Sequence, residues 1–76
     1  MSKAVKVDKD YVEKVVIEDL RKKYPDITEL EFRRVAHKYG TWVAAGIFKT
    51  SRGFVRAFMY VIDRETGEIL EYEVII

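Results

Sequence analysis

Few side chains in this sequence could carry out catalysis. The 76 residues include one histidine, His37, two serines, Ser2 and Ser51, and no cysteine. Nucleophilic catalysis needs a nucleophile next to an aligned base, and a zinc site needs three or four ligands. His37 precedes Lys38 in a predicted turn, and no catalytic motif surrounds either serine. We therefore expect no hydrolytic centre and no metal site.

Carboxylates and glycines give no stronger indication of catalysis or of phosphate binding. Glu71 and Glu73 would project from one face of the last predicted strand, as a catalytic acid and base would, but Arg56 beside them indicates cross-strand ion pairs. The four glycines are dispersed in turns and one strand, and none forms a phosphate-binding loop: Gly40, Gly46, Gly53 and Gly67. The sequence predicts no catalytic residue, no cofactor and no small-molecule substrate, so we expect no enzyme.

Charge is segregated along the chain although the net charge is only +1. No acidic residue occurs from Phe32 to Ile62, whereas five follow from Asp63 onward. Aromatic residues alternate with basic ones in the central segment, a pattern that suits the stacking of single-stranded nucleic acid. The basic residues that could contact phosphates are Arg33, Arg34, Lys38, Lys49 and Arg52.

Length and composition predict a single folded domain over residues 1–76, with a flexible N-terminus at residues 1–7. Half of the residues, 49%, are hydrophobic, far more than in disordered chains. Asn, Gln and Cys are absent and 36% of residues are charged, which is typical of thermophilic proteins. The sequence shows neither a secretory signal nor a membrane span, so we expect a cytoplasmic protein.

One amphipathic helix is predicted near the N-terminus. Asp10 is the expected N-cap, with Asp8 as the competing candidate. The apolar positions that recur at helical spacing are Val12, Val16, Leu20 and Tyr24. The helix should end at Tyr24, because the residue before a proline is driven out of helical geometry.

Four strands are predicted after Pro25, separated by turn signals at "HKYG", "TSRG" and "DRETG". The predicted fold is α+β, with one N-terminal helix packed on a four-stranded antiparallel meander sheet (α-β-β-β-β). A bulge near Arg33 and Arg34 is expected, because strict alternation would bury Arg34, whereas a bulge returns Val35 to the core.

Strand register decides which residues meet the helix. Pairing the last two strands directly across their turn sets Val61 opposite Leu70, Met59 opposite Tyr72 and Val55 opposite Ile76. The same register predicts a helix-covered face with these members: Trp42, Ala44, Gly46, Phe48, Val55, Ala57, Met59, Val61, Leu70, Tyr72, Val74 and Ile76.

The opposite face of the sheet is then also apolar, although a face that meets water should be polar. An apolar surface of this extent marks an interface or a groove. Its predicted interface residues are Val43, Ile47, Phe54, Arg56, Phe58, Tyr60, Ile62, Glu71 and Glu73, together with Ala45, Ile69 and Ile75. A strongly curled sheet that buries part of this set around the helix is the alternative.

Four segments resemble the PepSY domain and, more loosely, cystatin-like folds. They are the N-terminal helix, "KYPDITELEF", "TWVAAGIF" and the ending "FMYVIDRETGEILEYEV". The resemblance implies a helix resting on a coiled antiparallel sheet and a non-catalytic module that binds a peptidase or another protein. This sequence lacks the attached peptidase and the signal sequence of that setting.

Two functional hypotheses follow from these patterns. In the first, the protein is a small non-catalytic interaction module that self-associates, as a homodimer, or binds a protein partner through the outer face of its sheet. In the second, the basic central strands and loops bind nucleic acid.

Overall fold

A computed structural model describes residues 6–75 as one helix followed by four strands. The helix α1 spans Lys9–Lys23, and the strands are β1 Ile27–Lys38, β2 Thr41–Thr50, β3 Val55–Asp63 and β4 Ile69–Ile75. The strands form one antiparallel sheet in the order β1-β2-β3-β4. This is the α-β-β-β-β arrangement that the sequence predicts, so the predicted fold class is confirmed.

Helix α1 begins two residues earlier than the predicted cap at Asp10 implies. Asp8 is the N-cap, and its Oδ1 accepts a hydrogen bond from the Tyr11 amide at 2.9 Å, while Asp10 lies in the first turn. The helix ends where Pro25 requires, with the Tyr24 amide donating to the Leu20 carbonyl. Within residues 6–75, no helix is long and apolar enough to cross a membrane.

The β1–β2 pairing confirms the predicted bulge. The register shifts between Phe32 and Arg34, and Val35 packs against the core behind it. Gly46 lies opposite Phe32 at this point, and a Cβ there would overlap the Glu31 carbonyl oxygen. The bulge therefore keeps Arg34 out of the core and needs a glycine on the neighbouring strand.

The predicted register of β2 and β3 is wrong by one residue. Lys49 pairs with Val55, and the intervening residues include a tight turn in which the Gly53 amide donates to the Thr50 carbonyl. A shift of one residue moves every side chain of a strand to the other face. The helix-facing residues of β3 are consequently Phe58, Tyr60 and Ile62, which are at most 2% exposed.

A second, unpredicted bulge lies in β4. Ile62 pairs with Ile69, in the register expected from the turn, but Val61 then pairs with Glu71, so Leu70 is the extra residue. Leu70 is half exposed, and Ile69 packs against the core instead of lying on the opposite face. The predicted pairing of Val55 with Ile76 lies outside the described residues.

The core is a single layer between α1 and one face of the sheet, which we call the inner face. Its fully buried members are Val12, Val16, Leu20, Ala44, Phe48, Phe58, Tyr60 and Ile62. Val7 also packs against it, whereas residues 1–5 of the predicted flexible N-terminus lie outside the described residues. The molecule measures 44 × 26 × 17 Å, so it is two layers thick. Nothing in residues 6–75 covers the second face of the sheet.

Candidate functional site

The uncovered face of the sheet, which we call the outer face, has an apolar centre on its two middle strands. Alternation along each strand places Val43, Ala45 and Ile47 of β2 on this face, opposite Val61, Met59 and Ala57 of β3. Val55 and Ile75 extend the apolar area, and each is more than half exposed. These eight apolar side chains lie together on one face of a small sheet.

Charged residues border this apolar centre on the two edge strands. β1 contributes Arg34 and Glu31 on one side, and β4 contributes Glu71 and Glu73 on the other. The ion pairs found among residues 6–75 are Lys23 with Asp19 and Arg33 with Glu31. Arg34, Glu71 and Glu73 therefore have no ionic partner within the described part of the chain.

The register aligns these residues across the sheet. Arg34 pairs with Ala45, and Ala45 pairs in turn with Met59, whose other neighbour is Glu73. Neighbouring strands lie about 4.8 Å apart, so three spacings separate Arg34 from Glu73 by about 14 Å. These two opposite charges are too far apart to bond within one chain.

The structure keeps only part of the predicted interface on the outer face. Val43, Ile47, Glu71 and Glu73 lie there, as predicted. Phe58, Tyr60 and Ile62 are wrongly placed by the sequence, since the β2–β3 register turns them into the core.

Arg56 is also on the inner side, because it pairs with the core residue Phe48. Its guanidinium lies 5.9 Å from the ring centre of Tyr24 and 5.8 Å from that of Phe54. Phe54 itself lies in the β2–β3 connection and is 55% exposed. Arg56 and Phe54 therefore belong to an aromatic group beside the end of α1, and the predicted pairing of Arg56 with Glu71 and Glu73 is not formed.

Sequence reasoning missed Ala57, Met59 and Val61 as outer-face residues. In β3, the segment "RAFMYVI" is apolar at both sets of alternating positions, so its pattern indicates neither face. The information about the buried face lies in β2 instead, where Gly46 and the largest ring, that of Trp42, lie on the same face. The buried face of β3 follows from that of β2 only when the length of the β2–β3 connection is known.

A shallow groove of about 520 Å³ lies at the end of the outer face where β1 begins. Its lining includes Ile47, Val55 and the charged residues Glu29, Glu31 and Lys49. Lys49 pairs across the strands with Glu29, so the charges at this end are mixed. Nothing in the groove assembles a catalytic or metal-binding set, and residues 6–75 hold no group of three or more His, Asp or Glu side chains that could bind a metal.

The basic residues predicted to contact nucleic acid do not meet in one patch. Arg34 and Lys49 lie on the outer face, whereas Arg33 lies in the β1 bulge and forms an ion pair with Glu31. Lys38 is the last residue of β1, and Arg52 is in the β2–β3 connection. Lys38 and the β1 residue opposite Lys49 are nine residues apart, about 30 Å along an extended strand. Glu29, Glu31, Glu71 and Glu73 lie among them.

His37 is a strand residue and not a turn residue. It pairs with Trp42 near the end of β1, and the two rings meet edge to face with their centres 4.8 Å apart. The turn itself consists of Tyr39, with φ of 59°, and Gly40. The position of His37 fits a packing role beside Trp42.

One titratable cluster links the helix to the core. The buried Tyr60 hydroxyl donates to Asp19 Oδ2 at 2.5 Å, and Lys23 Nζ donates to the same oxygen at 2.6 Å. Partial burial alone would raise the pKa of the Asp19 carboxyl, but the bonds from Lys23 and Tyr60 outweigh it and leave that pKa below its usual 3.8. Burial, together with the bond to Asp19, raises the pKa of Tyr60 well above its ordinary range. The cluster fixes α1 on the sheet.

Replacing Tyr60 with Phe should lower the free energy of unfolding by about 2 kcal/mol at neutral pH, because a hydrogen bond to a charged group is lost. The pKa of Asp19 is lower in the folded than in the unfolded chain, so its stabilising effect is present above pH 3.8 and is lost as the pH falls through the folded pKa. The difference between the variant and the wild type should therefore shrink in strong acid.

Urea unfolding at neutral pH and in strong acid measures this effect. Tyr72→Phe is the matched control, since Tyr72 stacks on Tyr60 but its hydroxyl makes no hydrogen bond within the described residues. Equal losses for the two variants, or a loss for Tyr60→Phe that stays constant with pH, would contradict the role given to Asp19.

In comparisons with known proteins, no family model, no curated protein and no solved structure matches this chain.

Proposed function

We propose that this protein is a non-catalytic interaction module that self-associates through the outer face of its sheet. The observation that carries the proposal is an apolar centre, from Val43 to Val61, on the face that α1 leaves uncovered. Burial of apolar area contributes about 25 cal/mol per Å², so a second layer over this face would stabilise the fold. Layered domains normally bury such a face against another element.

The charge pattern supports a protein partner over a nucleic acid. Arg34 stands on one border of the apolar centre and Glu71 and Glu73 stand on the other, so the face presents both signs of charge. A phosphate backbone would be repelled by the acidic border. A protein surface with the opposite arrangement would satisfy both borders.

The face is a better candidate than either open edge of the sheet. β1 carries register shifts at Ile27/Glu29 and Phe32/Arg34, and β4 carries one at Leu70. Bulges interrupt the row of backbone groups that edge-to-edge pairing needs, and charged edge residues disfavour it further. Association through the face leaves both edges unchanged.

Met59→Lys should convert the associated protein into a monomer. Met59 lies in the middle of the apolar centre, and a lysine there would bring a charge into the buried interface. In the single chain the same lysine lies beside Glu73, its cross-strand neighbour, so the fold itself should remain intact. Light scattering on a size-exclusion column measures the mass directly.

The wild type should elute at a multiple of 9.0 kDa, and the variant at 9.0 kDa. The wild-type mass should persist from about 0.1 M to about 1 M salt, although the Debye length then falls from about 10 Å to about 3 Å. Ile17→Lys, on the surface of α1 away from the sheet, is the control and should keep the wild-type mass. A wild type that is monomeric at every concentration would refute the proposal.

Nucleic-acid binding by Arg33, Arg34, Lys38, Lys49 and Arg52 stays a prediction with weaker support, because these residues are dispersed among carboxylates. It requires an affinity that falls steeply with added salt, since phosphate contacts release counterions. Binding of a single-stranded oligonucleotide that is unaffected by salt would eliminate this hypothesis. The PepSY resemblance likewise remains a prediction.

A further inference from the structure

We propose that the occupant of the outer face is a second copy of this chain, related by a two-fold axis that runs parallel to the strands between β2 and β3. This arrangement rests on the proposed function, since it specifies how two self-associating copies meet. It stacks β1 of each copy over β4 of the other, and β2 over β3. Two properties of the outer face support this arrangement, the sizes of its side chains and their charges.

The central residues are complementary in size under this symmetry. In one cross-strand pair Ala45 lies beside Met59, and in the next Ile47 lies beside Ala57. Rotation about the axis places Ala45 of one copy over Met59 of the other, and Ile47 of one copy over Ala57 of the other. Large side chains then meet small ones, as packed sheet interfaces require, while Val43 meets Val61 of the second copy.

The charged borders are complementary under the same rotation. Arg34 and Glu73 stand at opposite ends of one row across the sheet. Because the rotation exchanges β1 and β4, Arg34 of each copy lies over Glu73 of the other, twice per dimer. Stacked sheets are about 10 Å apart, a distance that extended arginine and glutamate side chains span together. The pairing gives Arg34 and Glu73 ionic partners, which residues 6–75 of their own chain do not supply.

A second way of stacking two copies separates Arg34 from Glu73. A two-fold axis perpendicular to the strands, lying between the sheets, would place β1 over β1 and β4 over β4. If that axis crossed the sheet at the level of Arg34 and Glu73, Arg34 would face Arg34 of the other copy, and Glu73 would face Glu73. Like charges placed opposite each other at an interface disfavour that partner arrangement. Of these two axes, the parallel one therefore places Arg34 over Glu73, because it stacks β1 over β4.

Charge reversal tests the arrangement. Arg34→Glu sets a glutamate over Glu73 of the second copy at two places, and Glu73→Arg sets an arginine over Arg34. Each single variant should weaken the dimer at least about tenfold at low salt, measured by sedimentation equilibrium. Both substitutions leave the single chain folded, since both residues are exposed and have no ionic partner within residues 6–75.

The decisive sample is an equimolar mixture of the two single variants. Every facing pair in the mixed dimer is one glutamate and one arginine, so the mixture should form a heterodimer that native mass spectrometry separates from either homodimer by mass. The double variant Arg34→Glu/Glu73→Arg should also recover the wild-type affinity.

The results separate this arrangement from the proposed function. Suppose that Met59→Lys dissociates the wild-type dimer, but that the charge reversals leave the dimer unchanged or that the mixture of the two variants forms no heterodimer. This result would overturn the two-fold arrangement and keep self-association through the face. A monomeric wild type would overturn both.

Discussion

Phe58→Lys should abolish folding, although the neighbouring substitution Met59→Lys should not. The Phe58 ring is 2% exposed and packs against the rings of Phe32, Phe48 and Tyr60, with the closest ring centre 5.6 Å away. Removing a buried phenylalanine ring costs about 3–5 kcal/mol, and a buried unpaired ammonium adds further cost. A domain of this size has a total stability of about 5–15 kcal/mol, so little or none would remain.

Met59→Lys is the matched control for this prediction, because it places the same charge one residue along the strand on the outer face. Far-ultraviolet circular dichroism and urea unfolding measure both variants. We expect a cooperative transition for Met59→Lys and none for Phe58→Lys. The reverse result would mean that β3 presents its other face to the helix and would contradict the β2–β3 register.

Gly46→Ala should lower the free energy of unfolding by about 3 kcal/mol, the upper part of the usual range for overpacking. The added Cβ would overlap the Glu31 carbonyl oxygen and approach the Phe58 ring to 2.9 Å and the Phe32 Cα to 3.0 Å. Two of these three atoms belong to the backbone of β1, so a rotamer change cannot relieve the contact. The β1 bulge must move if the variant is to fold.

Gly40→Ala is the control for this substitution. Gly40 is in the β1–β2 turn, where an added Cβ meets no atom within 4 Å, and its φ is not positive. Its change in stability should stay within about 0.5 kcal/mol. Thermal or urea unfolding of the two variants under the same conditions makes the comparison, and similar losses at both positions would remove the close approach of β1 and β2 as the cause.

Local patterns in the sequence determined the elements and their order. Helical spacing of Val12, Val16 and Leu20 defines the buried stripe of α1, and Pro25 ends the helix. Turn residues separate the four strands, and a lone arginine at a core position predicts the bulge that returns Val35 to the core. These features depend on residues close together in the chain, so each can be inferred without knowing where distant segments lie.

The composition of the outer face also followed from the sequence in general terms, because both faces of β2 and β3 are apolar and one helix covers one face. Val43, Ile47, Glu71 and Glu73 were assigned to that face correctly. The residues of β3 were not. For a strand whose two faces are equally apolar, alternation carries no information about which face is buried.

Tertiary structure alone decided the register of β3 and β4. One additional residue in the β2–β3 connection turns Phe58, Tyr60 and Ile62 inward, and the bulge at Leu70 keeps Tyr72 and Val74 on the same side as them. This inward orientation of the β3 side chains allows the Tyr60 hydroxyl to donate a hydrogen bond to Asp19 of α1. It also allows the Phe58 ring to fill the space over Gly46. Such contacts join residues up to 41 positions apart. Their energy depends on the assembled helix and sheet, so no local pattern of the sequence contains it.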